Sequence, residues 1–271
     1  MNLLAVEINR AVHRRVVRVL ILIALLGCVI AGVISFVDSS GKSVALLNAN
    51  DELHPAVLTN WWVADRADGA ILIAAFFLLI GGAIGGASVA GAEWRAGTIT
   101  TMLTWEPRRI RLNLARTAAC GIAAFVIAFA LQAIFLAAFL PAVLANGTTA
   151  GADVQWWSSL ALVLARTALL TSLAAMLGVA LATLGRNTAF AFAALFGWIA
   201  VVEGLVRSLR PGWTQYLFGE NVGTVMPWKQ LDNVSFTRGP VLALCTLVAY
   251  TLLLVAGATI AFERRDIAGT S

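Results

Sequence analysis

The sequence predicts an all-α integral membrane protein of six transmembrane helices, with an N-terminal interfacial helix and a further short helix between the second and third spans. Three observations carry that expectation. The 271 residues are 60% hydrophobic and 12% charged, with mean hydropathy +0.87, which is more apolar surface than a soluble core of this length hides. The apolar residues fall in six runs, each close to or above the ~20 residues that cross a bilayer. Lys and Arg gather in alternate connections between those runs. The net charge of +5 therefore reads as topology rather than phosphate binding, and no nucleic acid partner is expected, since Trp and Arg here have no polar domain to carry a stacking platform.

Taken in order, Leu4, Ile8, Ala11 and Val12 share one helical face. Asn2, Asn9, Arg10 and His13 lie off it, with Glu7 and Arg14 near its edge, the pattern of a helix lying in the membrane interface. The first apolar run, 16–37, has a basic flank and contains Gly27-Cys28. It continues well past Cys28, longer than the ~7–15 residues of a cleaved leader, and reads as a span. The remaining spans are expected at 69–92, 114–140, 158–184, 188–206 and 241–262. The whole chain, 1–271, reads as one transmembrane domain. Cys28, Cys120 and Cys245 each fall inside a run and read as small buried hydrophobes.

One set of connections holds Arg10, Arg14, Arg15, Arg18, Arg95, Arg108, Arg109, Arg111, Arg116, Arg186, Arg264 and Arg265. The other, although longer, holds Lys42, Arg66, Arg207, Arg210, Lys229 and Arg238. That bias puts both termini in the cytoplasm. Trp61, Trp62, Trp156, Trp157, Trp213 and Trp228 fall at the external ends of spans, and Trp94 and Trp105 at the inner ends, as expected of an interfacial aromatic belt. The second span ends in Gly81-Gly82-Ala83-Ile84-Gly85-Gly86-Ala87-Ser88. Small residues four apart let another helix approach closely, whether from the same chain or a second one.

The longest charged interruption on the basic side is Gly91 to Arg116. Its residues form two groups, Glu93-Trp94-Arg95-Ala96-Gly97-Thr98 and Leu103-Thr104-Trp105-Glu106-Pro107-Arg108-Arg109. This stretch resembles the first cytoplasmic loop of type-2 permeases of ATP-binding-cassette (ABC) exporters, and the resemblance in layout covers nearly the whole chain. It implies a cytoplasmic coupling helix that meets a separate ATPase, with Glu93, Arg95, Gly97, Thr98, Pro107, Arg108 and Arg109 as the coupling residues. Arg116 stands where such loops often carry Lys. The resemblance further implies an ATP-binding ABC subunit, a second permease chain (homo- or heterodimer), a bacterial inner membrane, and short helices between the fifth and sixth spans, where 207–240 reads either as a segment dipping into the membrane or as an external cover.

Polar residues inside spans are the default places to look for function. Gln132, Arg166 and Glu203 are the candidates for a transport path. The competing readings are a helix-to-helix hydrogen bond for Gln132, outward snorkelling for Arg166, and a surface pair with Arg207 for Glu203. Catalytic signals are missing. Gly41-Lys42-Ser43 lacks the glycine a phosphate loop needs five residues earlier, where Phe36 stands. His13 and His54 fall on opposite sides, too few for a metal centre, so neither a metal nor another cofactor is expected. The expected function is the transmembrane subunit of an exporter driven by ATP hydrolysed on another subunit, without an enzyme site of its own. The alternative is a secondary transporter without an ATPase partner, for which Glu203 is the sole intramembrane carboxylate candidate.

Overall fold

A computed structural model describes residues 3–47, 53–63, 68–233 and 236–264. Asp51, Glu52, Asp65, Arg66, Arg265 and Asp266 lie outside the described residues. The described chain is helical apart from one two-stranded ribbon. Its elements are α1 (Leu3–Val12), α2 (Arg15–Ser39), α3 (Val44–Leu47), α4 (Ala70–Arg95), α5 (Thr98–Trp105), α6 (Arg109–Ala137), α7 (Leu140–Asn146), α8 (Val154–Gly185), α9 (Thr188–Gly197), α10 (Glu203–Leu209), α11 (Phe218–Val225), β1 (Leu231–Asn233), β2 (Phe236–Arg238) and α12 (Pro240–Arg264). Six helical stretches among the described residues are long and apolar enough to cross a membrane: Arg15–Ser39, Ala70–Arg95, Arg109–Asn146, Val154–Gly185, Thr188–Leu209 and Pro240–Arg264. Each contains most of an expected span.

Helices are the economical answer to these apolar runs, because each backbone N–H and C=O is satisfied inside its own segment. Local chemistry sets the ends. Asp153 caps α8 by accepting from the Trp156 N–H at 2.7 Å, and Arg186 stops it in a left-handed conformation. Asn187 then caps α9 by accepting from the Ala189 N–H. A π-helical turn, Trp198–Val202, joins α9 to α10 as one continuous span.

α8 is the axis of the bundle and its most buried span. Around one end of it Leu160 and Val163 pack with Trp61, Trp62, Ile71, Phe139 and Val143. Around its middle Leu170 and Leu173 pack with Ala75, Val225, Met226, Ala243 and Leu247. Around the other end Val179 and Ala182 meet Ala11, Ala87, Ala90, Cys120 and Ala191. That last end, which also carries α1 and α5, is called the basic end below, and the opposite one the far end. Gly82 and Gly86 of α4 abut the α8 backbone at Thr171 and Ala175, where a β-carbon would collide with the carbonyl oxygens. The small-residue face is thus occupied by a helix of the same chain.

Two expectations need correction. Trp61 and Trp62 are 3% and 2% exposed, since a 3-10 turn over Leu58–Trp61 tucks them into the far-end core, with the Trp61 indole donating to the Pro55 carbonyl. Cys245 is exposed, while Cys28 and Cys120 are buried; an apolar run in a membrane protein has an outward face that needs no burial. Glu7, expected near the edge of the apolar face of α1, is buried beside Ala11, where α1 docks on α6 and on the charges described next.

Candidate coupling region and polar sites

Glu93 sits in the last turn of α4 and is 2% exposed. Its Oε1 lies 2.7 Å from Arg14 Nη2 and 3.0 Å from Arg10 Nη2, and its Oε2 lies 2.5 Å from Arg116 Nη2. Arg10 also reaches Glu7 at 2.7 Å. One carboxylate therefore joins α1, the α1–α2 link, α4 and α6. Burial pushes the Arg14 guanidinium below its ordinary value, with Glu93 opposing the shift; arginine starts so high that it stays charged at neutral pH. Glu93 faces the protein rather than open solvent, so any influence on a partner passes through the helices it ties together.

The chain then turns away from the bundle. Ala96 ends α4 and Gly97 takes φ +66°, a left-handed value that favours glycine. No atom lies within 4 Å of where its β-carbon would be, so the glycine serves backbone conformation and not close packing. In α5, Ile99 is buried while Thr98, Thr101 and Thr104 are exposed, continuing the exposed surface of Arg95 and Gly97 and leading to exposed Pro107 and Arg108. Contacts bind this segment to other elements and to itself: Arg95 Nη2 donates to Thr188 Oγ1 at 3.4 Å, Arg109 Nη1 to the Glu263 carbonyl at 3.3 Å, the Arg108 N–H to Glu106 Oε1 at 3.3 Å, and Arg111 meets Glu106 at 3.4 Å. The seven expected coupling residues thus divide, with Glu93 inward and Arg95, Gly97, Thr98, Pro107 and Arg108 on one exposed surface beside Arg109.

The three candidates inside spans have separate surroundings. Gln132 is fully buried and its Nε2 donates to the carbonyls of Ala128 at 3.0 Å and Leu164 at 3.4 Å, tying α6 to α8. Glu203, also fully buried, accepts the Gly219 N–H at 3.1 and 3.2 Å and lies 3.3 Å from Arg207, which meets Glu220 at 2.8 Å. A carboxylate at the N-terminus of α11 satisfies otherwise unpaired helix N–H groups. It holds the 203–225 segment in place, and its pair with Arg207 is buried on the Glu203 side rather than superficial. Arg166 is half-buried, its guanidinium carbon 4.8 Å from the Trp228 ring centroid.

A cleft of about 1090 Å³ runs beside α2, lined by Ile21, Ala24 and Ala31 of α2, Gly81 and Gly85 of α4 and Ala124 of α6. Its walls are mostly apolar, with Ser35, Asp38, His54, Asp68 and Thr171 among the lining residues.

Sequence reasoning missed the partners more than the sites. Arg10, Arg14 and Arg116 were read as topology signals, as residues off or at the edge of the interfacial face, or as part of the resemblance, and not as partners of Glu93; yet Glu93 lies within an Arg-rich set of connections, and that imbalance pointed to pairing. Asn113 Nδ2, which donates to Thr259 Oγ1 at 2.8 Å between α6 and α12, had no pattern to reveal it. Comparison with models of known protein families gives no match, and no curated protein matches the sequence.

Proposed function

We propose that the chain is the membrane subunit of a type-2 ABC exporter, paired with a second permease chain and with two separate ATP-binding subunits. On this reading it lies in a bacterial inner membrane with both termini in the cytoplasm, α1 rests at the inner interface, and α5 is the coupling helix. The observation that carries the reading is the exposed surface Arg95-Gly97-Thr98-Thr101-Thr104-Pro107-Arg108, set on a short helix between two spans and tied to α9 and α12. Closure of the ATPase pair would press on α5 and, through the Glu93 ion pairs, move α4, α6 and α1 together. The sequence carries no phosphate-binding loop, so ATP is expected to be hydrolysed elsewhere. The buried carboxylates among the described residues, Glu7, Glu93 and Glu203, are each held by arginine, which suits fasteners better than the exchangeable ion sites of a secondary transporter.

The test is purification of the tagged chain from its own membranes in mild detergent. A stoichiometric ATPase should accompany it and be lost in an Arg108→Glu, Arg109→Glu double variant that still inserts. Purified alone, the chain should bind no ATP in calorimetry. Recovery without any ATPase, or nucleotide binding by the isolated chain, would remove the reading.

A further inference from the structure

Two arginines on or just beyond α8 stack against tryptophans of other elements. Arg186 lies 5.1 Å from the Trp94 ring centroid at the basic end, and Arg166 lies 4.8 Å from that of Trp228 at the far end. They stand twenty residues apart, about 30 Å along a helix axis, which is the thickness of a bilayer hydrocarbon core. The separation of the two stacks thus matches the distance between the two headgroup levels of a bilayer.

Around Arg166 the protein forms a pocket of about 410 Å³, lined also by Trp62, Ser159, Leu162, Pro227, Trp228 and Lys229. Among the described residues no carboxylate lies within ion-pair distance of Arg166, whose one recorded contact is the Trp228 ring. A cation held over a ring face spends no N–H group on a carboxylate, and a guanidinium carries those groups in the planar fork that matches a phosphate. Trp228 itself takes φ +56°, a left-handed conformation that bulky residues adopt only where the surroundings impose it and that gathers at ligand sites. A hydroxyl from Ser159 and a second cation, Lys229, complete a lining suited to an anion.

We infer that this pocket holds the phosphate of a membrane lipid headgroup from the far leaflet. Arg166 provides the directed N–H contacts, Lys229 adds charge, Trp228 fixes the guanidinium plane, and the exposed side of Leu162 meets the upper acyl chain. The inference stands apart from the exporter reading, because it needs a bilayer but no ATPase.

Native mass spectrometry of the detergent-purified chain tests it, with phosphatidylglycerol, diacylglycerol of the same chains, and inorganic phosphate as probes. Phosphatidylglycerol should be retained and diacylglycerol should not, and millimolar inorganic phosphate should fail to displace the lipid. Arg166→Gln should weaken retention about tenfold, the size of one charge-assisted contact, and Arg166→Lys should restore part of it. Equal retention of phosphatidylglycerol and diacylglycerol by the unaltered chain would overturn the inference without recourse to any variant. Displacement by inorganic phosphate would overturn the lipid assignment, and an Arg166→Gln chain that binds like the original would overturn the site.

Discussion

At the basic end a single carboxylate, Glu93, is enclosed by Arg10, Arg14 and Arg116, whereas at the far end Arg166 meets the face of an indole and, among the described residues, no carboxylate. The first arrangement is closed: its charges answer one another, and Glu7 reduces the remaining excess of positive charge. The second is open, with Arg166 lining a pocket. Buried charge that is internally matched fastens helices together, and charge left facing a cavity is available to a ligand. Glu203 belongs with the first kind, since its carboxylate is taken up by Gly219 and Arg207.

The sharpest way to break this comparison is to remove Glu93. Glu93→Ala leaves three arginines converging on an apolar gap, and taking one partner from a buried ion pair costs about 3–5 kcal/mol. Thermal unfolding in detergent should show a loss of that size, with Glu93→Gln recovering only part because it accepts hydrogen bonds without charge. Arg166→Ala, which strands no carboxylate, should cost less than about 1 kcal/mol. The sequence alone suggests that Glu93→Ala would leave the fold intact and affect only coupling; its burial moves the expected defect to stability first. Equal tolerance of the Glu93 and Arg166 substitutions would erase the distinction between the two ends.

Glu203 sharpens the same contrast on a smaller scale. Glu203→Ala removes the acceptor for the Gly219 N–H and the partner of Arg207, hydrogen bonds to a charged group of about 1.5–3 kcal/mol. The loss should be local, because Val225 and Met226 still anchor the end of α11 in the core. Hydrogen exchange should speed up at Gly219–Thr224 and stay unchanged along α8. Uniform acceleration would mean that Glu203 supports the bundle as a whole.

Legibility in the sequence followed physical scale. The spans were readable because each needs about 20 apolar residues in one run, a signal too long to hide, and the α8–α9 break was marked by Arg186-Asn187 between two such runs. Trp61 and Trp62 misled because indole suits an interface and a core equally, and only the 3-10 turn at Leu58–Trp61 decides between them. Pairings across the chain were not readable. Glu93 and Arg116 are 23 residues apart in neighbouring helices, and Glu93 and Arg10 are separated by 83 positions, so no periodicity links them. The short helices between α10 and α12 were also obscure, since Pro211, Gly212 and Pro227 mark turns without saying where the chain between them docks.

Gly97 carries the smallest expected effect and decides why the turn between α4 and α5 has a glycine at all. From the sequence, the residue would admit a partner backbone at close range. In the structure its φ of +66° and the open space around its β-carbon position make the requirement conformational. Gly97→Ala should then cost about 1 kcal/mol, the penalty of a left-handed alanine, while Gly97→Asn should be nearly silent, because asparagine visits that region readily. A partner pressed against Gly97 would reverse the order, since asparagine is the larger side chain and would obstruct it more. Measuring thermal stability of the chain alone alongside ATPase recovery for both variants separates the two effects. Asparagine that leaves stability unchanged but removes the ATPase would place a partner directly on Gly97, and alanine that lowers stability with asparagine harmless in both assays would restrict the glycine to shaping the turn between α4 and α5.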